Sequence, residues 1–233
     1  MSTLVLSHIL HRVGDLPRAV AEAETAGFQV EWGSDPEVAH NALVWFARGA
    51  FLELYHAPPF DESTASLVEE VAGSGAVLRS RRWGAMADGW CDYAVETADA
   101  DLGAVAARCA ADDIALGPAF NPSRALPGGG RVSWHLAFPD DGDLPFVMSA
   151  YAPPQRPGAV AHANGATEIT SITVAHPRPD EYRRHLARYV GTSSLDGVII
   201  ERGTGAGATI TGVTAAGLDA PARFGVGTID PAG

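Results

Sequence analysis

The sequence predicts an α+β protein made of two tandem βαβββ modules, with a partial third module at its C-terminal end. Three observations carry that prediction. An order of strand, helix and three strands can be traced through residues 1–62, and the same order recurs over residues 84–152. Local segments echo each other as well: ALVWF and FLELYHAPP in the first stretch answer to WHLAF and FVMSAYAPP in the second. Finally, 46% of the 233 residues are hydrophobic and only 19% are charged, enough apolar material for modules that bury a shared sheet neither could bury alone.

The elements follow in order. Leu4 to Val13 is apolar and β-branched, a strand that stops at Gly14-Asp15, where Asp15 can cap a helix with Pro17 in its first turn. That helix runs to about Ala26, and Gly27 ends it. Phe28 to Trp32, His40 to Ala47 and Ala50 to His56 read as strands, the last two joined by a tight turn at Arg48-Gly49. Residues 63–83 form a connecting helix interrupted at Gly73-Ser74-Gly75. In the second module, Trp90 to Thr97 is a strand, and Asp99 to Ala111 shows the Leu102, Val105, Ala106, Cys109 spacing of an amphipathic helix. Ile114 to Leu116 begins another strand; Arg131 to Phe138 and Pro145 to Tyr151 close the module around the turn Pro139-Asp140-Asp141-Gly142. Residues 153–166 are a Pro- and Ala-rich linker. Residues 167–233 hold strand Ile169 to Ala175, a helix from Pro179 to Tyr189 stopped by Gly191, and strands Gly197 to Glu201 and Ala208 to Ala215, a partial module expected to pack on the body and cover a sheet edge.

Composition removes several classes of function. All sixteen basic residues are Arg against 28 acidic ones, and the net charge of -12 argues against nucleic acid and anionic membranes as partners. Without Lys there is no Schiff base, no pyridoxal phosphate anchor and no P-loop. The glycines at 128 to 130 lack the preceding strand and following helix of a dinucleotide loop, so no nucleotide cofactor is expected. Cys91 and Cys109 read as packing residues. No apolar run is long enough to span a bilayer and no export signal is evident, so the expected location is the cytoplasm. A small molecule is the expected partner, and a homodimer is compatible with the sequence.

Five segments then carry a resemblance. SHILHRVGDLPRAV, HNALVWFARGAFLELY, WCDYAVETADADLGAVAARC, PSRALPGGGRVSWHLAFPDDGDLPFVMSAY and HANGATEITSITVAHP, in this order, resemble the glyoxalase-like branch of the vicinal oxygen chelate superfamily and span nearly the whole chain. Its members include metal-dependent isomerases, extradiol dioxygenases, epimerases, thiol transferases and metal-free drug-binding resistance proteins, so the fold does not fix the reaction. The resemblance implies a site inside a cupped sheet, with metal ligands on the first and last strands of each module. His8 matches the first-strand position and Glu53 the last-strand position of module one, and strand alternation groups them with Leu6 and Leu10, and with Phe51 and Tyr55.

Module two departs from the pattern. Ser149 stands where Glu53 has its counterpart, and the first-strand position falls on Asp92 or Tyr93. Asp92 would complete a His8, Glu53, Asp92 site for one divalent ion; Tyr93 would leave two ligands. Glu53 and His8 could equally satisfy each other as a buried pair. His135, beside Trp134, is a candidate for proton transfer; Tyr55, Arg124, Trp134, Ser149 and Tyr151 are candidates for binding substrate, Arg124 as a fork for a carboxylate or phosphate or else as a loop brace. His11 and His56 fall on the opposite strand faces and read as structural. Asn41 reads as tying down backbone at the start of a strand, and His162, His176 and His185 as solvated.

Three functions compete, in this order: a metal-assisted lyase, isomerase or oxygenase acting on a small oxygenated substrate; a drug- or metabolite-binding protein without chemistry; and a metal-free enzyme using Glu53 as a base with a pKa raised by an apolar cup.

Overall fold

The structure is a computed structural model and describes residues 3–126 and 129–233. Gly128 of the glycine run therefore lies outside the described residues. Module one contains β1 (Val5–Arg12), α1 (Leu16–Thr25), β2 (Glu31–Trp32), β3 (Asn41–Val44) and β4 (Phe51–Tyr55). Asp15 caps α1 by accepting from the Arg18 N–H at 3.0 Å, as the sequence predicts. The connecting segment is a pair of helices, α2 (Glu62–Ala72) and α3 (Ser74–Ala85), broken where Gly73 takes φ 84°, a conformation that side chains resist.

Module two contains β5 (Gly89–Thr97), α4 (Gly103–Ala111), β6 (Ser123–Ala125), β7 (Arg131–Ser133), β8 (Leu136–Ala137) and β9 (Phe146–Ser149). The strand expected over Arg131 to Phe138 is split. Its first part turns away to pair with β6, and its second pairs with β9. The strand expected from Ile114 is reduced to an isolated bridge between Leu116 and Pro139.

Among the described residues, the two modules merge into one seven-stranded sheet of order β2-β3-β4-β1-β5-β9-β8. The first strands, β1 and β5, are its antiparallel centre, and each has its own last strand beside it in parallel register: His8 opposite Phe51, and Ala94 opposite Phe146. Residues directly opposite on neighbouring strands share a face. One row of the concave face therefore reads Phe51, His8, Ala94, Phe146, and the next contains Glu53 and Leu10.

The chain continues through β10 (Glu168–His176), α5 (Pro179–Val190), β11 (Val198–Arg202), β12 (Thr209–Ala216), β13 (Ala222–Phe224) and β14 (Gly227–Pro231). These strands form a second sheet, and it repeats the plan of the first: an antiparallel central pair, β10 and β12, each with a parallel partner, β11 and β14. The back of the first sheet packs on it. One continuous core joins Ile9, Leu52 and Val95 to Ile172, Val213 and Ile229, with α1, α4 and α5 contributing Val20, Val105 and Leu186. Tyr93 and Tyr182 meet hydroxyl to hydroxyl at 2.7 Å inside this interface.

Three histidines expected to be solvated divide. His162 is buried, accepting from the Gln29 N–H at 2.9 Å and bonding the Trp45 carbonyl at 2.9 Å, so it fastens the linker to module one. His176 is also buried, stacked on Tyr182 and 3.0 Å from Asp143. His185 is half-exposed, 3.3 Å from Asp141.

Candidate functional site

The concave face is closed at one end and open at the other. At the closed end α3 lays Trp83 against Tyr55, Phe138 and Phe146. Asp92 belongs to this wedge. Its Oδ2 accepts from Arg79 Nη1 at 2.6 Å, Arg82 Nη2 at 2.5 Å and Trp83 Nε1 at 3.1 Å, while Oδ1 accepts from the Tyr93 N–H at 2.8 Å. Two guanidiniums and an indole converge on Oδ2 and compensate its charge, and among the described residues Asp92 does not join His8 and Glu53 in one cluster, contrary to the expectation of a three-ligand metal site. Tyr55 is corrected too: packed edge-on to Trp83, it lies under the helix and not in a substrate wall.

At the other end His8 and Glu53 come together, with Nε2 3.3 Å from Oε2 and the side chains only 5% and 14% exposed. The other Glu53 oxygen accepts from Asn41 Nδ2 at 2.8 Å, so Asn41 is a site residue that sequence reasoning assigned to the backbone. Its signal was topological: β3 pairs with β4 and sets Asn41 two residues diagonally from Glu53. Gly33 makes the space, because a Cβ there would sit 1.9 Å from Asn41 Oδ1. The Gly33 carbonyl also accepts from Arg124, which thereby crosses from module two to module one. Arg124 Nη2 is buried without a hydrogen-bond partner among the described residues.

Burial alone would push the Glu53 carboxyl up, but the bonds from His8 and Asn41 and the charge of Arg124 bring it below its ordinary value. The expectation of a raised Glu53 pKa is thus overturned: the cup is apolar, yet the carboxylate is ringed by donors.

Beside this pair opens a cavity of about 460 Å³. Phe51, Trp45 and Tyr151 form aromatic walls, Ser7 and Glu96 its polar side, and Arg156 its rim. Phe51 stacks on the His8 ring at 4.6 Å, so His8 and Glu53 lie one side chain behind the cavity surface. Arg156 stands 5.5 Å over the Trp45 ring, and Trp134 packs edge-on to Tyr151 at 5.1 Å, supporting the wall from behind. Burial and the nearby Glu53 charge hold the Tyr151 hydroxyl protonated.

His135 and Ser149 are elsewhere. His135 bonds the Ala100 carbonyl at 3.0 Å and Asn121 at 3.2 Å, and Ser149 Oγ accepts from the His135 N–H at 2.9 Å while donating to the Ala150 carbonyl. His135 ties Ala100 and Asn121 to the chain before β8, Ser149 fastens β9 to it, and neither side chain lines the cavity beside His8 and Glu53 where the sequence expectation put them. The register explains the difference. Aligning Phe51 with Phe146 makes Met148 the counterpart of Glu53, and Ala94 the counterpart of His8; Ser149 points to the other face.

A divalent ion at His8 and Glu53 would thus meet two donors from module one and, at the equivalent positions of module two, an alanine and a thioether, with Glu96 set off from His8 by Ser7. No group of three His, Cys, Asp or Glu side chains converges among the described residues. That donor set does not fit a resident divalent ion of the kind the resemblance implies.

A family model described as a glyoxalase-like domain matches residues 6–190. No curated protein matches the chain. Among solved structures the chain is similar to a hypothetical protein from Staphylococcus aureus, with 14% identity over 98% of this chain and 100% of that one and a TM-score of 0.72. It is similar also to the Mn(II)-bound glyoxalase from Novosphingobium aromaticivorans, with 13% identity over 93% of this chain and 66% of that one and a TM-score of 0.53. At such identities the likeness is one of fold.

Proposed function

The chain belongs to the glyoxalase-like domain family, and from that premise we propose that it acts on a small oxygenated substrate by acid/base chemistry, with His8 and Glu53 as its proton-handling pair. The observation that carries this reading is the contact of imidazole and carboxylate at 3.3 Å beside an aromatic cavity, at positions whose module-two counterparts, Ala94 and Met148, bring no further donor.

Each residue has a part in such chemistry. Taking a proton from carbon next to a carbonyl puts negative charge on the carbonyl oxygen, and a buried guanidinium N–H with no protein acceptor suits that oxygen. Arg124 Nη2 is such a group, held near Glu53 and behind the residues that line the cavity, so a substrate oxygen would meet it only by displacing part of that wall. Trp45, Phe51 and Tyr151 offer faces for a flat substrate and keep water from the reacting atoms. Asn41 holds Glu53 so that the carboxylate keeps one oxygen towards His8. The Mn(II)-bound glyoxalase of similar fold holds a metal; in this chain the donor set does not fit one, and the chemistry rests on the side chains.

Proton NMR in deuterated buffer tests the proposal. With a panel of small hydroxyketones and aryl ketones, the protein should accelerate deuterium uptake beside the carbonyl for at least one member, and Glu53→Gln and Arg124→Ala should each abolish the acceleration. A second reading is favoured by the stacked walls and by Arg156 over Trp45: a binding protein without chemistry. Ligands that bind and protect the cavity while no panel member exchanges would select it and refute the first.

A further inference from the structure

Resting on that acid/base reading, we propose that Glu96 is the carboxyl that meets the substrate and that Ser7 is the positioning residue that joins it to His8 and Glu53. Neither residue was singled out by the sequence. Ser7 and His8 are adjacent on a strand, so ideal alternation would set them on opposite faces. A register shift between Leu6 and His8 in the pairing of β1 with β5 removes that separation. Ser7 Oγ consequently sits 3.1 Å from His8 Nδ1 and 3.3 Å from Glu96 Oε2.

The four groups make a continuous line: Glu96, Ser7, His8, Glu53. As a carboxylate, Glu96 accepts from the Ser7 hydroxyl; once Glu96 carries a proton, the hydroxyl turns to donate to His8 Nδ1, whose Nε2–H is then directed at Glu53, and the Ser7 oxygen accepts from Glu96. Glu96 and Ser7 line the cavity, whereas His8 and Glu53 do not. The end of the line that a ligand can touch is therefore Glu96. Burial raises the Glu96 carboxyl above its ordinary value while Glu53 is lowered, so two carboxylates at the ends of one line hold protons differently, an arrangement suited to an acid and its counter-charge.

An aromatic epoxide reads this out without knowledge of the substrate. Para-nitrophenyl glycidyl ether can place its ring against Trp45 and Tyr151 and its epoxide at Glu96. The Glu96 oxygen attacks the terminal carbon, the ring C–O bond breaks, and the carboxyl proton passes through Ser7 to His8; the alkoxide takes a proton from water, and the hydroxide left behind recovers the one on His8. Intact mass and peptide mapping should give one adduct, on Glu96, absent in Glu96→Gln. Ser7→Ala should slow it about a hundredfold, the low end of what a placed proton path contributes, and Ser7→Thr should restore it, with thermal melts confirming that each variant is folded. An unchanged rate in Ser7→Ala, or labelling of Glu53 in place of Glu96, overturns the line to Glu96 while leaving the acid/base cup intact. No adduct on either carboxyl overturns both.

Discussion

The two halves of the first sheet share a backbone plan and divide the chemistry. In each, the first strand and last strand run parallel in the same register, and in each a phenylalanine, Phe51 or Phe146, opens the last strand on the concave face. Module one follows with Glu53 opposite Leu10 and in contact with His8, and module two with Met148 opposite Glu96. Module two has two carboxylates on its first strand: Glu96 lines the cavity, whereas Asp92 is fastened to Arg79 and Arg82 under α3. Module one supplies the His8 and Glu53 pair, and module two supplies Glu96 at the cavity together with the support of the helix that closes the cup. The C-terminal sheet repeats the plan a third time, with β10 and β12 at its centre, and serves as packing for the back of the first. Repetition of a fold thus copies positions for side chains and not the side chains' roles.

The largest effect expected of this division is on stability. Arg79 and Asp92 are 1% and 5% exposed, and removing one partner leaves the other charge buried alone. Asp92→Ala should therefore cost about 3 to 5 kcal/mol in urea unfolding. If Asp92 served a site instead, stability would hold and ligand binding alone would suffer.

A second effect separates the faces of β1. His11 lies on the back, edge-on to Trp90 and near Phe224, with neither ring nitrogen bonded among the described residues. Burial lowers its pKa to about 4, against a smaller upward pull from Asp88. Because the folded value is depressed, the unfolded chain takes the proton first: stability is full above about pH 6.5, falls as the pH drops towards about 4, and is then level, a loss of about 3 kcal/mol. His11→Phe should flatten urea midpoints across that window. A slope as steep as the wild type's would place the titration elsewhere.

Glu53→Gln comes next, at about 1 to 3 kcal/mol, since it disturbs the bonds from His8 and Asn41 without leaving a buried charge unpaired. Circular dichroism melts of this variant and of Asp92→Ala, run together, compare the halves directly. Equal losses would mean that both carboxylates are structural.

How much of this was legible follows from the range of each interaction. The modules, the α1 cap at Asp15 and the meeting of His8 with Glu53 rest on local signals and on alternation within one strand, and they could be read. Asn41 beside Glu53, Ser7 beside His8, and Met148 in place of Ser149 depend on register between strands and on a bulge, which shift a side chain to another face without any mark in composition. The Asp92 cluster was hidden for a different reason. Its partners Arg79 and Arg82 sit on a connecting helix, and which face of the sheet that helix covers is a tertiary fact.

The smallest expected effect bears on the metal. If His8 and Glu53 are the only donors that meet at one point, Mn(II) added at a concentration no higher than its dissociation constant stabilises the fold by at most about 0.4 kcal/mol, a shift near the limit of a thermal melt. Met148→Glu sharpens the comparison, because it puts a carboxylate at the module-two position that corresponds to Glu53, on the same concave face. Met148 is 1% exposed, so this variant should melt lower than the wild type without metal, as a buried carboxylate lacking a partner must. Mn(II) should then recover part of that loss in Met148→Glu and leave the wild type where it was. A large Mn(II) shift in the wild type would show that module one, with water, binds the ion unaided. No shift in the variant would mean that positions 53 and 148 do not face a common point, and the alignment of the two halves by their phenylalanines would have to be given up.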